Sequence, residues 1–187
     1  MYPDKGVTDV INMIRRKGKP SYLRCAFTGY RPAKMPFGYD ETCDNCITFK
    51  KDVHDKIEEL IGKGYAHFLS GGAQGFDTFA AEAVLDLQRT YPWIILEMVS
   101  PFDAQAAKWD RSYQKRHDRL FQAADIVTAT GHEFSKGCLF KRNHYLVDNA
   151  DLLLAAFDGQ PGGTAMTCDY ARKIGVPIQT IMPQKSA

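Results

Sequence analysis

Three short stretches gather residues able to hold a phosphate and its sugar. They are FTGYRP (27–32), SGGAQGFD (70–77) and PGGTAMT (161–167). The middle one offers the hydroxyl of Ser70, the bare backbone of Gly71, Gly72 and Gly75, the amide of Gln74 and the acid of Asp77. The last adds Gly162 and Gly163 beside the hydroxyls of Thr164 and Thr167. Glycine removes the Cβ that would hold a phosphate away from the backbone. A helix opening directly after the turn presents unpaired N–H groups and a partial positive charge. Neither turn is a Walker A sequence, and neither has the G-x-G-x-x-G spacing. Glycine at a tight strand-to-helix turn also serves close packing alone. Two such turns, each with hydroxyls, favour a ligand over packing.

Asp77 falls in the first turn of its helix, where an acid complements the dipole. A carboxylate there also accepts hydrogen bonds from ribose hydroxyls beside a bound phosphate. The two readings carry equal weight. Thr28, Gly29 and Arg31 end the first apolar run, and an arginine beside a proline on such a loop suits a bidentate clamp on phosphate or carboxylate. Phe102 and Trp109 share a later loop and are read as a wall that stacks on a base. Cys43-x-x-Cys46 reads as half a zinc site, as a redox pair or as two free thiols. No second pair stands at ligand spacing, so free thiols are preferred and no metal site is expected. His132 and His144 are isolated and read as surface or packed residues.

These residues need a scaffold. LRCAFTG (23–29), HFLSGG (67–72), WIILEMVS (93–100), DIVTAT (125–130), DLLLAAFD (151–158) and PIQTIM (177–182) read as strands. Helical patterns fall between them: Phe49, Val53, Ile57, Leu60 and Ile61; Phe76, Ala80, Ala83, Val84 and Leu87; residues 110–124; Gly137–Asn149; and residues 161–175. The stretch from Tyr30 to Asn45 has no clear periodicity and reads as a loop. The alternation predicts an α/β fold, a Rossmann-like α/β/α sandwich on a mostly parallel sheet. Ligands in such sheets sit outside the carboxyl ends of the strands, where all three chemical stretches fall. Val7, Val10, Ile11 and Ile14 predict a further helix over residues 7–16, making residues 1–22 an N-terminal extension and 23–187 a single domain.

Composition excludes several classes. The 187 residues are 44% hydrophobic and 25% charged, which suits a folded globular chain rather than a disordered one. The net charge is +2, and basic residues cluster only over Lys108–Arg119 and Lys136–Arg142, read as a solvated face. That balance argues against nucleic acid as a partner. No apolar run reaches membrane-spanning length and the N-terminus lacks a signal-peptide core, so a cytoplasmic location is expected. Five cysteines without framework spacing suit reduced thiols.

The ordered series FTGYRP, SGGAQGFDTFAAEAV, YPWIILEMVSPF, AAD, KRN, VDNADLLLAAFD and GGTAMT resembles the YpsA-like branch of the SLOG superfamily. These Rossmann-like proteins are related to the DNA-processing protein DprA and to LOG phosphoribohydrolases. The resemblance covers Leu23 to Met182. It implies a nucleotide-type crevice touched by Thr28, Gly29, Arg31, Gly71, Gly72, Gln74, Gly75, Asp77, Arg142, Asn143, Gly162, Gly163 and Thr164. It implies no required cofactor but a nucleotide-derived ligand, related to ADP-ribose, NAD or a cyclic signal such as those of antiviral defence. The protein would sense or sequester it. LOG enzymes carry PGGxGTxxE; here Ala165 and Met166 replace the Gly-Thr, and Asp169 stands where the glutamate would fall. That departure counts against cleavage of an N-glycosidic bond, the second reading. Single-stranded DNA binding of the DprA kind is the third, and no basic and aromatic stripe supports it. Sheet edges offer surfaces for a homo-oligomer, and no periodic apolar stripe singles one out.

Overall fold

Strand β1 (Leu23–Gly29) forms the middle of the sheet because its residues Cys25, Ala26 and Phe27 are fully buried and both of its edges are paired. A computed structural model describes residues 22–183. The N-terminal helix expected over residues 7–16 lies outside the described residues. After β1 come a 3-10 turn (Pro32–Lys34), α1 (Asp44–Gly62), β2 (Tyr65–Ser70), α2 (Phe76–Leu87) and β3 (Ile95–Ser100). Then follow α3 (Arg111–Ala123), β4 (Ile126–Ala129), α4 (Cys138–Asp148), β5 (Leu152–Ala156), α5 (Gly163–Ile174) and β6 (Ile178–Thr180).

All six described strands are parallel, in the order β4-β3-β2-β1-β5-β6. Among the described residues this Rossmann-like sheet is flanked by five α-helices. Right-handed crossovers place α1, α2 and α3 on one face and α4 and α5 on the other. The helix contacts agree: α1 packs on α2, α2 on α3, and α4 on α5. The chain leaves β1 toward one face and β5 toward the other. Their shared border is therefore the topological switch point, where a crevice opens at the carboxyl edge.

Burial follows from this layering. β5 is buried along its whole length, as a strand covered on both faces must be. β4 is the opposite case, an edge strand whose Ile126 and Val127 are exposed. α2 lies between α1, α3 and the sheet, and buries nine of its residues, among them Ala80, Ala81 and Ala83, small enough for that crowded position. Phe27 stacks on Phe68 at 5.9 Å, and Phe76 meets both Phe27 and Phe49. Helix α1 begins at Asp44, and the preceding segment holds the 3-10 turn, so the stretch read as loop is partly ordered structure. Trp93 lies before β3, exposed and packed edge-on against Tyr91.

Candidate functional site

The loops after β1 and β5 part at the switch point and leave a cleft of about 400 Å³. Thr28, Gly29, Arg31, Asp77, Arg142, Asn143, Gly163 and Thr164 line it. The sequence-predicted residues from β1, α2, α4 and α5 thus come together at one place. Helix α2 delivers Asp77 from one face of the sheet, and α4 delivers Arg142 from the other.

Both charges are buried, each 5% exposed. Burial pushes the Asp77 carboxyl up to about 6, against the opposing pull of Arg142, the Ala73 N–H and Arg31. Burial also lowers the Arg142 guanidinium from its ordinary value, with Asp77 acting in the other direction. Arg142 Nη1 donates to the Gly71 carbonyl, and its Nε donates to Asn143 Oδ1 at 2.8 Å. Asn143 Nδ2 donates to Thr167 Oγ1 at 2.9 Å, and Thr167 Oγ1 donates to the Gly163 carbonyl at 3.0 Å. A polar chain therefore runs from the first glycine turn through α4 to the second.

The first glycine turn is pinned from several sides. Gly72 N–H donates to Ser70 Oγ at 3.2 Å, and Ser70 Oγ donates to the Asp77 carbonyl at 2.9 Å. Ala73 N–H donates to Asp77 Oδ2 at 3.4 Å, and Gln105 Nε2 reaches the Gly71 carbonyl at 3.1 Å. Packing explains two of the glycines. A Cβ on Gly71 would lie 2.0 Å from Arg142 Nη1, and one on Gly29 would lie 2.5 Å from the Phe76 Cβ. Gly29 still borders the cleft with its backbone, whereas Ser70, Gly71, Gly72, Gln74 and Gly75 stand behind the lining and shape it.

The second turn is more open. Nothing lies within 4 Å of a Cβ built on Gly163. Helix α5 has no side-chain cap and no acid in its first turn, so its positive end faces the cleft uncompensated. Lys34 Nζ stands across it and donates to the Pro161 carbonyl at 2.8 Å. Tyr30 Oη donates to Asp158 Oδ1 at 2.5 Å, tying the β1 loop to the β5 loop. Gly162 and Thr167 belong to this turn but lie outside the lining.

Sequence reasoning overlooked Tyr30, Lys34, Ala73, Leu139 and Phe140 as cleft residues. Lys34 was legible as a second cation three residues after Arg31, whereas Leu139 and Phe140 carried no local signal. Phe102 and Trp109 are not brought to the cleft. Phe102 meets Phe134 edge-on at 5.5 Å, and Trp109 meets His117 at 5.4 Å. Asp169 is 70% exposed along its side chain and pairs with Arg172 at 2.6 Å, away from the cleft. His132 is exposed, and His144 stacks on Tyr170 at 3.8 Å.

The model of the YspA SLOG family, YpsA, matches residues 25–185. The chain belongs to the YpsA SLOG family. A UPF0398 protein of Halalkalibacterium halodurans is 33% identical over 150 residues, covering 78% of each chain. YpsA of Bacillus subtilis is 27% identical over 142 residues, covering 74% of this chain and 78% of its own. The prophage-derived YoqJ of the same organism is 32% identical over 130 residues, covering 63% of this chain and 76% of its own. Two solved structures share the fold. DNA processing protein A from Helicobacter pylori, described for its single-stranded DNA binding mode, superposes with a TM-score of 0.60 at 20% identity. That of Streptococcus pneumoniae gives 0.61 at 18%. Each likeness covers 87% of this chain, which spans 66% of the first structure and 51% of the second. No described helix is long and apolar enough to cross a membrane.

Proposed function

We propose that the cleft between the β1 and β5 loops binds a nucleotide-derived small molecule of the ADP-ribose or NAD class, as a sensor or a sequestering protein. The observation that carries this reading is the meeting of a buried carboxylate with an uncapped helix end. Asp77 lines the cleft from α2, and the N-terminus of α5 closes the opposite side. A helix end flanked by Lys34 and Arg31 suits a phosphate. A carboxylate lining the same cleft suits the donor hydroxyls of a ribose. The cleft volume falls within the range of roughly 300–1,000 Å³ typical of small-ligand sites. Leu139 and Phe140 add an apolar border for a base. Calorimetric titration with ADP-ribose and with NAD tests the reading. Saturable binding that weakens in Arg31→Ala supports it, and unchanged binding in that variant moves the phosphate elsewhere.

A second reading is contact with single-stranded DNA, favoured by the fold likeness to the Helicobacter pylori protein. It requires an affinity that falls steeply with salt. Cleavage of an N-glycosidic bond is weaker than either. Asp169 points away and pairs with Arg172, which leaves Asp77 as the one carboxylate among the described lining residues.

A further inference from the structure

The two cysteines of Cys43-x-x-Cys46 occupy special positions on α1. Cys43 is the N-cap residue, with extended backbone angles of −72° and 150°. Cys46 is the third helical residue. Side chains three apart at a helix start are neighbours, with Cβ atoms about 5–6 Å apart in a regular helix; the extended N-cap residue leaves Cys43 free to turn toward its partner. Both residues face inward from the start of α1: Cys46 is a core residue, and Cys43 is partly buried against that core.

Their surroundings divide the labour of a dithiol pair. Cys43 is half-buried and its thiol donates to the Asp40 carbonyl at 3.3 Å, which makes it the more accessible of the two thiols. Cys46 is fully buried, out of reach of any bulky reagent, and lies three residues from Cys43 in the first turn of α1. Cys25, Cys138 and Cys168 are all buried without a second cysteine at such spacing. Among the described residues no group of three or more His, Cys, Asp or Glu stands ready to hold a metal ion.

We infer that Cys43 and Cys46 are a redox-modification site, closing to an intramolecular disulfide by exchange with a low-molecular-weight disulfide of the glutathione type. In the first step the Cys43 sulfur, having lost its proton, attacks one sulfur of the oxidant. A mixed disulfide forms, and one equivalent of thiolate leaves and takes up that proton. In the second step Cys46 loses its proton, and its sulfur attacks the Cys43 sulfur and expels the second equivalent of thiol. The protein loses two electrons and two protons; the oxidant disulfide gains both and becomes two thiols. The bond would join the N-cap of α1 to its first turn, at the end of the segment that leads from the cleft residues Arg31 and Lys34 into that helix.

Intact mass spectrometry with thiol counting on the full chain, equilibrated against oxidised glutathione, tests this. The expected result is loss of two of the five thiols, a mass lower by two hydrogens, and mapping of the bond to Cys43 and Cys46, all reversed by a dithiol reductant. Cys46→Ser removes only the resolving sulfur and accumulates the glutathione adduct on Cys43. Cys43→Ser, at a half-exposed position, forms neither product. Five thiols persisting at excess oxidant, an adduct on wild-type Cys43 that never resolves, or oxidation mapped to another cysteine would overturn the inference.

Discussion

Asp77 is a residue whose presence weakens the fold. Its carboxyl rises from an ordinary 3.8 to about 6 because burial disfavours the charge more than Arg142 and the Ala73 N–H favour it. Between those two values the folded chain holds a proton that the unfolded chain has released. The contribution of Asp77 to stability is therefore greatest below the lower value and falls as pH rises to and through the upper one, by about 3 kcal/mol in all. Asp77→Asn removes that loss. Its melting temperature is expected above wild type at neutral pH, with the two converging below about pH 4; a gap independent of pH would refute the assignment. A carboxylate kept at such a cost in a cleft fits a role in binding. Arg142 is its counterpart, and its position explains Gly71. In Gly71→Ala the new Cβ meets a guanidinium that can move aside only by giving up its bonds to the Gly71 carbonyl and Asn143, which is expected to cost about 1–3 kcal/mol in urea denaturation. Gly163→Ala is the contrasting case. It meets nothing in the fold, so it leaves the denaturation midpoint at or above wild type while narrowing the cleft and weakening calorimetric ligand binding.

At the scale of elements, the site depends on a loop held from behind. Arg116 on α3 donates Nε and Nη2 to Glu82 at 2.7 and 2.6 Å, and its Nη1 reaches Glu41 at 2.6 Å. Lys50 on α1 also pairs with Glu41 at 2.6 Å. Two helices and the β1 loop are thus fastened through one arginine, which is 20% exposed along its side chain. Arg116→Ala leaves Glu41 and Glu82 half-compensated, and a loss of about 2 kcal/mol is expected, less than for a fully buried pair. Hydrogen exchange over residues 36–43 should quicken more than over α5 if the arginine acts as this latch. Uniform quickening would assign it to general stability instead. The network was not legible in the sequence. Glu82 reads as an ordinary helix-face residue, and its partners lie 34 and 37 positions away. The His67–Glu97 pair, buried at 2.8 Å between β2 and β3, was hidden in the same way. Each is a polar side chain in an otherwise apolar strand run, but their meeting is set by strand register.

For the whole molecule, the order of the described elements could be read because hydrophobic period and glycine turns mark most of their boundaries. β5 announces itself as a buried strand, and α1 buries the residues its spacing selects. Strand order could not be read so directly. It is set by pairing between distant segments, and it decides that β4 is an exposed edge while β1 and β5 are neighbours. The convergence of Thr28, Asp77, Arg142 and Gly163 followed once the carboxyl edge was identified as the site. The placement of Phe102 and Trp109 did not follow, because a shared loop does not fix direction, and both side chains turn to aromatic neighbours of their own. The proposed ligand is a discrete small molecule held in a cleft of about 400 Å³, so on that proposal binding to single-stranded DNA is expected to be weak and lost at moderate salt.

The measurement that tests the central claim most directly is mass spectrometry of small molecules released on denaturing purified wild-type protein and Asp77→Ala. A phosphate-bearing nucleotide derivative at close to one per chain in wild type is predicted. Its occupancy in the variant is predicted to fall about tenfold or more, as loss of a charged hydrogen-bond acceptor implies. Equal release from both proteins, or no nucleotide derivative from wild type, would contradict it.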